Sequence, residues 1–68
     1  MRDWLKVARK ERGLTMAEMG AKLNISESYY SQIESGGRQK NMDISLVRSL
    51  SEALGIPIKV IVEKEAET

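Results

Sequence analysis

Apolar residues recur along this chain at three- and four-residue intervals in short blocks, each closed by Gly, Asn or a Gly pair. That rhythm predicts a string of short amphipathic helices. Residues 2–12 form the first block, with Leu5 and Ala8 on its apolar side, Trp4 and Val7 beside them, and Gly13 as the stop. Leu14 follows as a core residue. The stretch 15–34, TMAEMGAKLNISESYYSQIE, carries the most information. Thr15 and Glu18 make a T-x-x-E capping box that starts a second helix. Ala17, Met19, Gly20 and Leu23 supply its small and apolar stripe. Asn24 stops it, because asparagine tolerates the left-handed backbone a sharp turn requires, and Ile25 plugs the space beneath. Ser26 is the N-cap of a third helix that turns Tyr30 and Ile33 inward. Glu27, Ser28, Tyr29, Ser31 and Gln32 are divided between inside and outside, leaving one side polar.

Ser35, Gly36 and Gly37 break that helix, and the loop 38–42 is polar and basic. Asp43 is a good N-cap, and Ile44, Val47, Leu50 and Leu54 predict a fourth helix over 44–54 ending at Gly55. The tail IPIKVIVEKEAET reads two ways. Ile58, Ile61 and Val62 fit a helix started by Pro57, whereas Ile56, Ile58, Val60 and Val62 alternate like a strand; the helix is the preferred reading. Residues 63–68 are acidic and expected to fray. Short helices on short connections predict a single all-α domain over 1–68, held by tertiary packing because isolated helices of this length are marginal in water. The second and third helices, tied by the Asn24-Ile25 turn, match a helix-turn-helix, in which the second member enters a major groove.

Composition narrows the function. A chain of 68 residues is large enough for one modest core and too small for a cleft with a supported catalytic shell. It has no Cys and no His, which removes disulfides, thiolate metal sites and imidazole bases. No enzyme, cofactor, metal or small-molecule substrate is expected. No apolar run approaches the roughly 20 residues that span a bilayer, and MRDWLKVARKERG has no signal-peptide core, so no membrane is expected and the location should be cytoplasmic. The net charge is only +1, yet residues 1–48 hold nine Lys or Arg against six Asp or Glu, and residues 49–68 hold two against four. Arg2, Lys6, Arg9, Lys10 and Arg12 crowd the first block, and Arg38 and Lys40 lie in the loop. They are either a footprint for phosphates or a solvated face.

RKERGLT at 9–15, Gly20, Leu23, ISESYYSQIESG at 25–36, Arg38 and SLVRSLSEALGIPI at 45–58 resemble the Cro/cI-type (XRE-like) helix-turn-helix family of phage and bacterial repressors, over nearly the whole chain. The resemblance implies a compact, lambda-repressor-like five-helix bundle with a central helix-turn-helix. It further implies sequence-specific binding of double-stranded DNA by a transcriptional regulator, a repressor, acting as a homodimer on a palindromic operator with residues 26–35 in the major groove. The source would be bacterial or phage, the location nucleoid-associated. By the same resemblance, Glu27, Ser28 and Gln32 read bases and Tyr29 flanks the backbone or a thymine methyl. Gln32 can pair bidentately with adenine; Glu27 either accepts from a cytosine amino group or simply favours the positive helix end. Backbone contacts fall on the amides of Thr15 and Met16, and on Ser31, Arg38 and Lys40. Arg9 and Glu34 resemble the family's shielded ion pair.

Three departures stand out. Met16 replaces a common Gln, the loop 37–42 is longer than usual and lacks a Pro, and Tyr30 replaces an aliphatic residue, so its hydroxyl must find a partner or reach solvent. Trp4, Ile56, Ile58 and Ile61 are either core or a dimer interface. The competing readings are a protein-interaction module of the same fold and an antitoxin-like protein with a partner toxin.

Overall fold

Side-chain caps place the starts of three of the helices. The computed structural model describes residues 1–67, which form α1 (Asp3–Glu11), α2 (Met16–Leu23), α3 (Glu27–Ser35), α4 (Ile44–Leu54) and α5 (Ile58–Ala66), with no strand among the described residues. Thr15 Oγ1 accepts the Glu18 amide at 3.1 Å while Glu18 Oε1 accepts the Thr15 amide at 2.8 Å, completing the capping box. The Thr15 amide bond also holds the Glu18 carboxyl below its usual range. Asn24 takes φ 60° and ψ 41°, and the Ile25 amide returns to the Gly20 carbonyl at 2.9 Å, so α2 ends abruptly. Ser26 Oγ accepts the Tyr29 amide at 3.0 Å and Asp43 Oδ1 accepts the Leu46 amide at 2.7 Å, starting α3 and α4.

The ambiguous tail is helical. Pro57, at φ −57°, stands directly ahead of α5, where a missing N–H forfeits no helical bond, and the helix carries Ile61 fully into the core. A strand would have found no partner strand to pair with. Where fraying was expected from residue 63, α5 runs to Ala66, and Glu65 is tied to α1 as described below. The remainder of that expectation, Thr68, lies outside the described residues.

The core comprises Leu5, Ala8, Met19, Leu23, Tyr30, Ile33, Leu50, Leu54 and Ile61. Helix α2 packs on α3 and α4, α4 on α5, and α1 on α3. Three residues expected inside lie outside, each for a geometric reason. Ala17 is exposed because the buried stripe of α2 runs through Met16, Met19, Gly20 and Leu23, one helical step away. Val7 is exposed because the stripe of α1 runs through Leu5, Ala8 and Arg9. Ile44 is 79% exposed; burial along α4 falls from Leu50 through Val47 to Ile44, so the first turn overhangs the core.

Candidate nucleic-acid interface

Helix α3 is split cleanly into an inner and an outer face. Tyr30, Ile33 and Glu34 are buried, Glu27, Ser28 and Gln32 are exposed, and Tyr29 and Ser31 are half-buried. The inner face is rooted by the expected ion pair: Arg9 Nε donates to Glu34 Oε2 at 2.9 Å, Nη2 to Oε1 at 3.4 Å, and Nη1 to the Leu14 carbonyl at 2.8 Å. Tyr30 supplies what the sequence left open, its hydroxyl donating to Glu34 Oε2 at 2.6 Å. No buried side-chain polar atom among the described residues lacks a partner. Arg9, Tyr30 and Glu34 thus set the roll of α3 against α1. The hydrogen bond it donates to Glu34 raises the Arg9 guanidinium above its ordinary value, and burial, helped by Glu34, raises the Tyr30 phenol above its own.

The Tyr30 shift has a sign that can be tested. A phenol kept neutral by the fold adds stability that is complete below its unfolded value of about 10 and lost as the pH climbs beyond it. Urea melts of the native chain should therefore weaken more steeply above that pH than those of Tyr30→Phe; parallel curves would mean that Tyr30 does not ionise on unfolding.

Two arginines expected in a basic footprint are spoken for. Arg9 is 6% exposed and Arg2 is 4% exposed. Arg2 was invisible as a structural residue in the sequence, although it sits three positions before Leu5 on the α1 stripe. Its Nη1 donates to the Ile33 carbonyl at 2.5 Å and to the Arg38 carbonyl at 3.2 Å, and Nη2 donates to the Gln39 carbonyl. Its Nε meets both Glu65 oxygens at 3.0 and 2.9 Å, and Trp4 Nε1 donates to Glu65 Oε2 at 2.9 Å. One guanidinium therefore joins the end of α3, the following loop and α5, adding to the Gly36 amide on the Ile33 carbonyl and holding two carbonyls of the loop.

That loop folds back onto the outer face of α3. Arg38 Nε donates to Gln32 Oε1 at 2.7 Å, with the Arg38 guanidinium 5.9 Å from the centre of the Tyr29 ring. Gln39, at φ 54°, donates through Nε2 to the Tyr29 hydroxyl at 3.1 Å and accepts the Asp43 amide on Oε1 at 3.2 Å. Gln39 is a second residue that sequence reasoning missed. Lys40 is exposed nearby. At the start of α2, the Thr15 amide is occupied by Glu18, which leaves first-turn amides such as that of Met16 to meet an anion. The Met16 side chain packs against the core.

A left-handed Asn hinge between two helices, the second rooted inside and polar outside, defines a helix-turn-helix domain. The chain belongs to the helix-turn-helix (XRE-like) family, whose model matches residues 5–61. It is 35% identical over 63 residues to YqaF of Bacillus subtilis, an uncharacterized HTH-type transcriptional regulator, covering 93% of this chain and 80% of that protein. It is 38% identical over 61 residues to the immunity repressor protein of Bacillus phage phi105, covering 90% and 41%. It is 30% identical over 64 residues to the HTH-type transcriptional regulator SinR of Bacillus subtilis, covering 94% and 57%, so it spans about half the length of these last two. No solved structure matches the chain. No helix among the described residues is long and apolar enough to cross a membrane.

Proposed function

We propose that this chain binds double-stranded DNA sequence-specifically as a transcriptional repressor, with α3 in the major groove and two copies on a palindromic operator. The observation that carries the reading is the outer face of α3, where Glu27, Ser28 and Gln32 stand exposed on a helix rooted by Arg9 and Glu34. Gln32 and Ser28 have the donors and acceptors that base edges require, and Glu27 can accept from a cytosine amino group. Arg38, Lys40, Ser31 and the first amides of α2 are the groups for phosphates.

Of the apolar residues that are either core or dimer interface, Ile61 is buried, Trp4 and Ile56 are partly buried and Ile58 is 45% exposed; we propose pairing through a different surface. Met42, Val47, Val62 and Ala66 line a groove beside Lys40, and Val62 is 54% exposed. A second copy covering that groove brings the two 38–42 loops together near a two-fold axis, with reading helices one DNA turn, about 34 Å, apart.

Selection from a random duplex pool should return an inverted repeat, and the logarithm of the affinity for it should fall linearly with the logarithm of salt concentration. Gln32→Ala should relax preference at one base pair per half-site; equal losses on every duplex would remove Gln32 as a reader. A second reading, a protein-interaction or antitoxin-like module, is favoured by the apolar groove between α1 and α5, lined by Trp4, Val7, Ile56 and Val60. A protein-interaction module would enrich no duplex, whereas an antitoxin-like protein would enrich one and bind a partner protein as well.

A further inference from the structure

A glutamine that reads adenine must offer an acceptor to the N6 amino group and a donor to N7. In this protein one lone pair of that acceptor is already taken by a cation. Arg38 Nε–H donates to Gln32 Oε1 at 2.7 Å, and because a guanidinium has donors only, the Gln32 amide must turn its oxygen toward it. The contact is bracketed on several sides. The Arg38 amide donates to the Gln32 carbonyl at 3.1 Å, the guanidinium lies against Tyr29, and Gln39 ties the loop to the Tyr29 hydroxyl. From below, Arg2 holds the main-chain carbonyls of Arg38 and Gln39.

We propose that Arg38 and Gln32 form one donor-only reading unit that selects a guanine edge at the position Gln32 meets. The inference rests on the DNA binding proposed above. The unit presents the two N–H groups of Gln32 Nε2 and the Nη N–H groups of Arg38, which match the O6 and N7 acceptors of guanine. An adenine amino group approaching the same oxygen would bring a donor beside a guanidinium cation and is disfavoured. Arg38 is therefore a specificity-determining residue, with a role beyond attracting phosphate.

The test uses the full chain and duplexes taken from the selected site that differ only by G·C or A·T at the pair where Gln32→Ala loses preference. Fluorescence anisotropy of the native protein should favour G·C by on the order of tenfold. Arg38→Ala frees the amide oxygen and should shift the preference toward A·T, and Arg38→Lys should lose the guanine preference while keeping the salt dependence. Both side chains are exposed and Arg2 meets only the main chain of Arg38, so the melting temperature should not move. A native preference for A·T, or an Arg38→Ala variant weakened equally on both duplexes, overturns the inference and leaves DNA binding standing. A native protein that binds neither duplex above background overturns the function proposed above.

Discussion

Replacing Arg9 with methionine is expected to lower the melting temperature by more than about 12 °C, because stranding one partner of a buried ion pair costs about 3–5 kcal/mol and a domain of this size shifts by about 4–8 °C per kcal/mol. Glu34 would be left 1% exposed with its Arg9 bonds gone and only the Tyr30 hydroxyl against it. The neighbouring Lys10 is exposed, and Lys10→Met should change stability by no more than about 0.5 kcal/mol. A double variant, Arg9→Met with Glu34→Leu, should recover much of the loss, since a buried pair replaced by apolar side chains is often neutral. Tyr30 would then lack its acceptor, so recovery should be incomplete unless Tyr30→Phe is added. Thermal melts of the four proteins decide the matter: equal melting temperatures for the Arg9 and Lys10 variants would rule out the network as the root of α3.

The second large effect is expected at Gly20. A Cβ built there meets the Ile25 carbonyl oxygen at 2.9 Å, and the Glu27 amide nitrogen and Ser26 carbonyl carbon at 3.2 Å each. All three are backbone atoms of the turn and the first residue of α3, so no side-chain rotation relieves the contact. Gly20→Ala should be destabilising by overpacking, typically about 1–3 kcal/mol, partly offset by the better helix propensity of alanine, about 1 kcal/mol. Gly20→Val adds two methyl groups and β-branching and should be worse. Since relief requires α3 to swing away from α2, affinity for the selected duplex should fall further than the lost stability explains. Gly20→Ala with native melting and native affinity would show that the turn has room the close contacts deny.

Both predictions concern residues whose type was legible in the chain, but on different grounds. The small residue at Gly20 fits the α2 stripe by spacing alone. The Arg9–Glu34 pair was legible only through the family resemblance, since 25 residues separate its members and nothing local joins them. Likewise the outward position of Glu27, Ser28 and Gln32 follows from Tyr30 and Ile33 turning in, whereas their contact with the loop does not. Gln39 takes a left-handed backbone without being Gly, and Arg38 reaches back past the end of α3 to Gln32, six positions earlier. No periodicity announces such a fold-back.

The caps at Thr15, Ser26 and Asp43, the Asn24 hinge and the first four helices could be read along the chain, because each depends on groups within about four residues of one another, whereas the tail fitted a helix or a strand. Packing settled the rest: the tail is helical through Ala66, Arg2 is a buried clasp, Ile44 and Val7 face water, and Gln32 shares its oxygen with Arg38. Those outcomes depend on which surface a distant segment covers and on carbonyls and carboxylates brought together from across the chain, so they exist only once the helices have packed.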